Sequence, residues 1–273
     1  MKLGILFCAY GIPEYLEQSI NPWIEAKKKF NIKIAAVHGQ FKENHELGYE
    51  DNDIGTLDKL YPLARDNKID FLYVQNPPGY IDAEKKYQTE AEIRNKGLQF
   101  LLKEKVDYVI LLDLDEFYTE TQIENILNYI NREDNRLITW FSIPMKNYIF
   151  DGKCYIKGFS PPRIFKNYIN GYKISEMYWD NDIKYVSINN SNESISYKNL
   201  SSKDMPENVI NGGVRHMTWL HSNGEQKEKY QIAHFNGECS YHFNVSTQKL
   251  EFNLDYYKRH GIPLPNVYFD DSP

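Results

Sequence analysis

Read from its amino end, the chain alternates unbroken apolar runs with stretches whose apolar residues recur every three or four positions. Leu3 to Tyr10, Ile32 to Val37, Asp70 to Val74 and Val106 to Leu112 are dominated by apolar residues, the pattern of strands covered on both faces of a parallel sheet. Helical spacings lie between them. Glu14 to Phe30 reads as helical with a break at Pro22, because an interior proline removes a hydrogen bond. Thr56 is placed to cap a short helix carrying Leu57, Leu60 and Leu63, and from Asp82 to Lys105 the residues Tyr87, Ala91, Leu98, Leu101 and Leu102 fall on one stripe. Thr119-Glu-Thr-Gln122 ahead of Ile123, Ile126, Leu127 and Ile130 is a capping box opening an amphipathic helix. Strand and helix in this alternation predict an α/β fold on a mostly parallel, Rossmann-like sheet.

After Asn131 the crossover rhythm stops. Short aromatic strands are punctuated by Pro144, Gly152, Gly158, Pro161-Pro162 and Gly171, the polar stretch from Asn189 to Asn208 reads as an exposed excursion, and helical spacing returns near Glu225 to Ala233 and Thr247 to His260. The expected organisation is a half spanning 1–131 and a more irregular half spanning 132–273, merged into one domain, a size that 273 residues allow.

Composition narrows the partners. A mean hydropathy of −0.63 and the lack of any apolar run near eighteen residues exclude a membrane span from the sequence. A net charge of −6 disfavours nucleic acid or anionic lipid as a general partner. Cys8, Cys154 and Cys239 are an odd, scattered set without CxxC spacing, which fits a reducing, cytoplasmic setting. The run from Leu3 to Tyr10 is too short for the core of a secretory signal. Aromatic residues reach 15%, with 22 Tyr, and rings that join an apolar face to a hydrogen-bonding tip suit sugars or bases as well as ordinary packing.

The segment that carries chemistry is Val109-Ile-Leu-Leu-Asp113-Leu-Asp115-Glu116-Phe117. Residues two apart on an extended chain point the same way, so Asp113 and Asp115 are expected to project together from the carboxyl edge of the sheet, where open α/β sheets bind ligands. Two like charges so placed call for a neutralising cation, and an oxygen-rich pair suits Mg²⁺ or Mn²⁺ bridging to a phosphate. Capping of the following helix is the plainer explanation of these acids, but Thr119 already supplies that cap.

In these motifs the sequence resembles the GT-A glycosyltransferases, especially the family 2-like enzymes of bacteria and phages. Ala9-Tyr10-Gly11 with Glu14-Tyr15-Leu16 is similar to the loop that seats the nucleotide, Glu92-Ile-Arg94-Asn95-Lys-Gly97-Leu98 to the Arg-Asn helix, Leu112-Asp113-Leu-Asp115-Glu116 to the DxD motif, and Pro162-Arg163-Ile-Phe165-Lys166 to the strand after the acceptor region. Arg215-His216-Met-Thr218-Trp219-Leu220 resembles a distal segment whose His completes the metal shell. The resemblance implies transfer of a sugar from a nucleotide-diphosphate donor, a UDP-sugar, to a glycan or lipid-linked glycan. It implies donor contacts from Ala9, Tyr10, Arg94, Asp113 and Lys227, and a metal held by Asp113, Asp115 and His216. His221 and His234 compete with His216, since His221-Ser-Asn-Gly224-Glu-Gln-Lys227 also matches the HxxGxxK of family 8 transferases. An inverting reaction needs a base, for which Glu176 and Asp180 are the candidates. The chain departs from many relatives in carrying Val37-His38-Gly39 where an acid is usual at the end of the second strand. Three rivals remain: glycosylation of a modified base in phage DNA, a haloacid-dehalogenase-type phosphatase with Asp113 as nucleophile, and a noncatalytic glycan-binding module.

Overall fold

A computed structural model describes residues 1–46, 53–77, 86–149, 153–179, 182–190, 192–217, 241–244, 249–261 and 263–269. The first half runs β1 (Leu3–Cys8), α1 (Leu16–Lys27), β2 (Ile32–His38), α2 (Lys42–Glu46), α3 (Ile54–Arg65), β3 (Phe71–Val74), α4 (Glu90–Lys103), β4 (Tyr108–Asp113), β5 (Glu116–Phe117) and α5 (Glu120–Ile130). The second half is mostly strand: β6 (Trp140–Ser142), β7 (Met145–Ile149), β8 (Cys154–Phe159), β9 (Pro162–Lys166), β10 (Tyr168–Ile169), β11 (Tyr172–Trp179), β12 (Asp182–Ser187), β13 (Ser194–Ser196), β14 (Ser202–Asp204), β15 (Val214–His216), β16 (Tyr241–Asn244), β17 (Lys249–Phe252) and β18 (Val267–Phe269), with a short helix, Leu254–His260, before the last.

The fold class is α/β, as expected. A central seven-stranded sheet has the order β14-β6-β9-β4-β1-β2-β3, in which only β9 runs against its neighbours. Three of its strands come from beyond residue 131. Alternation along β1 explains why the strand reads as a solid apolar run: Ile5 and Phe7 face a core built with Ile20, Trp23, Ile123 and Ile126 of α1 and α5, whereas Leu6 and Cys8 face another core with Ile93, Leu98 and Leu101 of α4. A four-stranded sheet, β10-β11-β12-β13, covers α4 from outside through Ile174, Met177, Ile183 and Tyr185. A five-stranded sheet, β18-β8-β7-β15-β5, extends from the carboxyl end of the central one. No helix among the described residues is long and apolar enough to cross a membrane.

Several expectations change in detail. Pro22 does not break α1, which runs through it; the carbonyl that loses its partner is that of Gln18, one turn back on the exposed side, where water can take the bond. The cap of α3 is Asp53, whose side chain accepts from the Thr56 amide, so Thr56 sits inside the helix it was expected to open. The helix expected from Asp82 is described from Glu90, where Thr89 and Glu92 form a capping box like that of Thr119 and Gln122. Part of the polar excursion is structural, since β14 joins the edge of the central sheet beside β6. Glu225 to Ala233 lies outside the described residues.

Asp70 ties α1, β2 and β3 together. Its Oδ2 accepts from Lys27 Nζ at 2.8 Å and from the Ile34 amide at 2.9 Å, and its Oδ1 from Lys33 Nζ at 3.1 Å. Burial alone would raise this carboxyl; the Lys27, Ile34 and Lys33 donors outweigh it and hold it below its ordinary value. A lowered folded-state pKa contributes stability above the unfolded value and loses it as pH falls through the folded one. Asp70→Asn is therefore expected to destabilise the chain by about 1–2 kcal/mol at pH 7, with the gap to the parent closing as pH drops below about 4, measured by denaturant unfolding across that range.

Candidate active site

At the end of β4 the chain passes Asp113, turns Leu114 into the core, and presents Asp115 in a tight turn before β5. Asp113 is the midpoint of a line of alternating charges. Its Oδ1 accepts from Arg94 Nη2 at 2.7 Å and its Oδ2 from Arg163 Nη2 at 3.0 Å. Arg94 also donates through Nε to Glu90 at 2.7 Å, and Arg163 through Nε to Glu116 at 2.8 Å. Arg94, Arg163 and Glu116 are all buried. Burial by itself would raise the Asp113 carboxyl, but the two guanidinium groups hold it below its usual range. Glu116, wholly enclosed, is pushed up to about 8 by burial, against the pull of Arg163. Beside this line Cys8 sits in register with Asp113, and burial pushes its thiol up to about 12, so it is neutral and unreactive at ordinary pH.

Local sequence explains how Arg94 arrives. At Gly97, three residues further along α4, an added Cβ would lie 2.5 Å from Leu6 Cδ1 and 3.0 Å from Val37 Cγ1, so only glycine lets the helix approach β1 and β2 this closely. The next residue after Arg94, Asn95, turns outward and grips β11 like an extra strand residue: its Oδ1 accepts from the Met177 amide at 2.8 Å and its Nδ2 donates to the Met177 carbonyl. Arg163 arrives by register, since β9 runs antiparallel to β4 with Ile164 opposite Ile110.

Asp115 faces a histidine. Its carbonyl accepts from the Met217 amide at 2.8 Å, and its Oδ2 lies 3.9 Å from His216 Nε2. His216 is opposite Glu116 on β5 and beside Asn147 on β7. Its Nδ1 donates to Asn147 Oδ1 at 2.6 Å, with both residues buried. With Nδ1 donating, Nε2 is turned toward the carboxylate and is an acceptor, open to a cation, whenever the ring is neutral. A carboxylate oxygen and an imidazole nitrogen at this separation suit one small divalent ion that keeps positions for water and phosphate oxygens. The donor set therefore fits Mn²⁺ or Mg²⁺ through two residues. Among the described residues no group of three or more His, Cys, Asp or Glu side chains is arranged to hold a metal, and Asp113 has both oxygens on arginine.

The remaining expected residues are placed as follows. Ala9 is fully buried, its amide donating to Val37 in the sheet. The Tyr10 ring lies 5.2 Å from that of His38, tilted by 55°. His38 Nε2 is 3.3 Å from Asp53 Oδ2, which also accepts from the Gly11 amide, so an acid does stand near the end of β2, supplied from the start of α3. Arg94 is occupied by Glu90 and Asp113 instead of facing solvent. Glu176 is exposed on β11 and pairs with Lys184 at 3.2 Å, not with the Asp113 line. Asp180, Lys227, His221 and His234 lie outside the described residues. Sequence reasoning did not find the bridge Arg163 makes, nor Asn147, nor Asp53; the first two are joined to their partners by strand register and leave no local spacing to read, whereas Asp53 stands three residues before Thr56, a capping spacing that could have found it.

No protein-family model matches the chain, and no curated protein matches it. Among solved structures it is similar to S. aureus TarS, at 18% identity and a TM-score of 0.34 over 54% of this chain and 22% of that one. A TarS structure covering 1–349 gives 16% and 0.37 over 61% and 47%. A protein from Desulfovibrio desulfuricans G20 described as a nucleotide-diphospho-sugar transferase gives 12% and 0.32 over 61% and 64%. The chain spans less than two thirds of the length of each of these, and overlap at these scores carries no conclusion about activity.

Removing Arg163 takes the cation from the buried Glu116 and one of the two cations from Asp113. Arg163→Met is expected to destabilise the chain by about 3–5 kcal/mol, and Arg163→Lys, which keeps the charge but not the fork, by less; denaturant unfolding of both at pH 7 makes the comparison, and equal losses would refute the bridging role.

Proposed function

We propose that the chain is a metal-dependent glycosyltransferase that takes a sugar from a nucleotide-diphosphate donor, a UDP-sugar, and passes it to a glycan or lipid-linked glycan acceptor. The observation that carries this reading is the Asp115 carboxylate facing the accepting nitrogen of His216 at the carboxyl end of a mostly parallel sheet. A divalent ion held by these two residues would supply positive charge where the leaving diphosphate gains negative charge.

The chain's own groups prepare that position. Asn147 holds the His216 tautomer and ring plane, as outer partners of ligating imidazoles do. Arg94 and Arg163 keep Asp113 ionised and fixed, and so hold the turn that carries Asp115. Tyr10, at the end of β1, offers a ring at the mouth of the sheet where the base or ribose of the donor would lie. A phosphatase using Asp113 as nucleophile is disfavoured, because both of its carboxylate oxygens are already accepting from arginine. The net charge of −6 stands against nucleic acid as the acceptor. Glu176, the expected base, pairs with Lys184 on the exposed side of β11, so it adds no support to an inverting reaction.

Calorimetric titration of UDP-sugars with and without Mn²⁺ tests the reading. The parent chain is expected to bind a donor only with the metal, and Asp115→Asn to lose that binding while keeping its circular dichroism and unfolding midpoint; undiminished binding by the variant sinks the assignment. Asn147→Leu is expected to weaken Mn²⁺ binding by about 10–100-fold, and Asn147→Asp, which keeps the acceptor, to preserve it. Equal affinity in Asn147→Leu and the parent would remove Asn147 from the site.

A further inference from the structure

The outer strand of the central sheet is β3, with β2 on one side and no described strand on the other. Successive side chains on a strand point to opposite faces, so Leu72 joins the core of α1 and α5, whereas Phe71 and Tyr73 turn toward α4. There they line a cavity of about 500 Å³, bounded on the helix side by Lys96, Phe100 and Lys103. A hollow of this size takes one small ligand. The order β4-β1-β2-β3 sets it three strand spacings, about 14 Å, from the strand that carries Asp113.

Its floor is made of rings. Phe71 and Phe100 stack with centroids 5.0 Å apart and 14° between their planes, and the Tyr73 ring lies 5.7 Å beneath Lys96 Nζ. Aromatic residues left half-buried in a hollow offer faces and edges to another flat ring. Few amides are open to hydroxyl groups: Asn95 has both ends of its side chain on Met177, and Gln99 donates to the Ser175 carbonyl at 2.8 Å. That disfavours a saccharide. Gln88 stands at one end, held by the Tyr73 hydroxyl at 2.7 Å and, through its backbone amide, by Gln75 Oε1 at 2.8 Å.

The cations set the charge of the ligand. Lys96 and Lys103 are exposed and seven residues apart on α4, which is two turns or about 10 Å, with Phe100 between them on the same side. Neither makes an ion pair among the described residues. The acid that lines the cavity among those residues is Glu92, one turn before Lys96. It is drawn back to the start of its helix, where its Oε2 accepts from the Thr89 amide at 2.8 Å and from the Thr89 hydroxyl at 3.2 Å. Both lysines are thereby left to an anion from outside.

We propose that this cavity binds a flat aromatic ring carrying a carboxylate or a phosphate, with the ring against Phe71, Tyr73 and Phe100 and the anionic group between Lys96 and Lys103. Such binding is independent of the transferase reading, because it uses neither Asp115 nor His216 and needs no metal.

Calorimetry without added metal tests it, with benzoate, phenyl phosphate, cyclohexanecarboxylate, phenol and inorganic phosphate as probes. The parent chain is expected to bind benzoate or phenyl phosphate at least about tenfold more tightly than the other three, and the double variant Lys96→Gln with Lys103→Gln to lose that preference. Whichever of the two binds more tightly tells carboxylate from phosphate as the natural anion. Lys103→Gln alone is expected to weaken binding about threefold should the double variant fail to fold, and Asp115→Asn is expected to bind as the parent does. Binding of neither aromatic anion overturns the proposal, as does equal affinity for cyclohexanecarboxylate, phenol or inorganic phosphate. Affinity unchanged by the lysine substitutions, or weakened by Asp115→Asn, overturns it too.

Discussion

Five charged side chains in one line, Glu90, Arg94, Asp113, Arg163 and Glu116, hold the carboxyl end of the central sheet together. Withdrawing each charge from water costs several kcal/mol, and the mutual attraction repays this only when signs alternate and the bonds are well formed. Here they come from α4, β4, β9 and the start of β5, so four separate elements must be in place together for any one charge to be compensated. The arrangement acts on position more than on net stability. It fixes where the turn carrying Asp115 can lie, and with it the distance to His216.

The same turn separates the two aspartates by task. Two carboxylates two residues apart at a sheet edge would repel if both met the same surroundings. Asp113 is neutralised by the protein itself, through guanidinium groups on both oxygens, while Asp115 faces an imidazole and is suited to a cation from outside. Division of this kind leaves one carboxylate in the scaffold and the other facing the imidazole, though they come from a single short motif. Glu116, third in the motif, completes the scaffold on the far side of Arg163 and is pushed toward its neutral form by burial, which reduces the charge that the enclosed line must balance.

Much of this is legible in the sequence. The apolar runs of β1 to β4, the capping box at Thr119 and the spacing of Asp113 and Asp115 are local patterns, and local patterns survive in sequence. His216 is also within reach, because it lies in a recognisable segment. What stays hidden depends on pairing across long separations: Arg163 reaches Asp113 across 50 residues, Asn147 reaches His216 across 69, and Asp53 meets Gly11 across 42. Arg94 illustrates the limit. Three residues after Ala91 and four before Leu98, it lies on the apolar stripe of α4 itself, so its burial follows from helical spacing, and Gly97 lets that face lie close against β1 and β2. Spacing places the charge inside the fold but does not name Asp113 as its partner, which sits 19 residues away on β4.

Register is where the charges and the fold meet. Slipping β9 by one residue against β4 would keep the sheet's hydrogen-bonding capacity but carry Arg163 to the other face, because the side-chain period of a strand is two. Asp113 and Glu116 would then be enclosed without their shared cation, while Ile164 and Phe165, buried on opposite faces in two different cores, would exchange places at little loss of apolar area. Apolar packing alone thus discriminates weakly between the two pairings of a strand that is covered on both sides. The buried arginine discriminates strongly. In a sheet whose strands are hydrophobic on both faces, the charges that prepare the site are also what tells β9 which way round to lie.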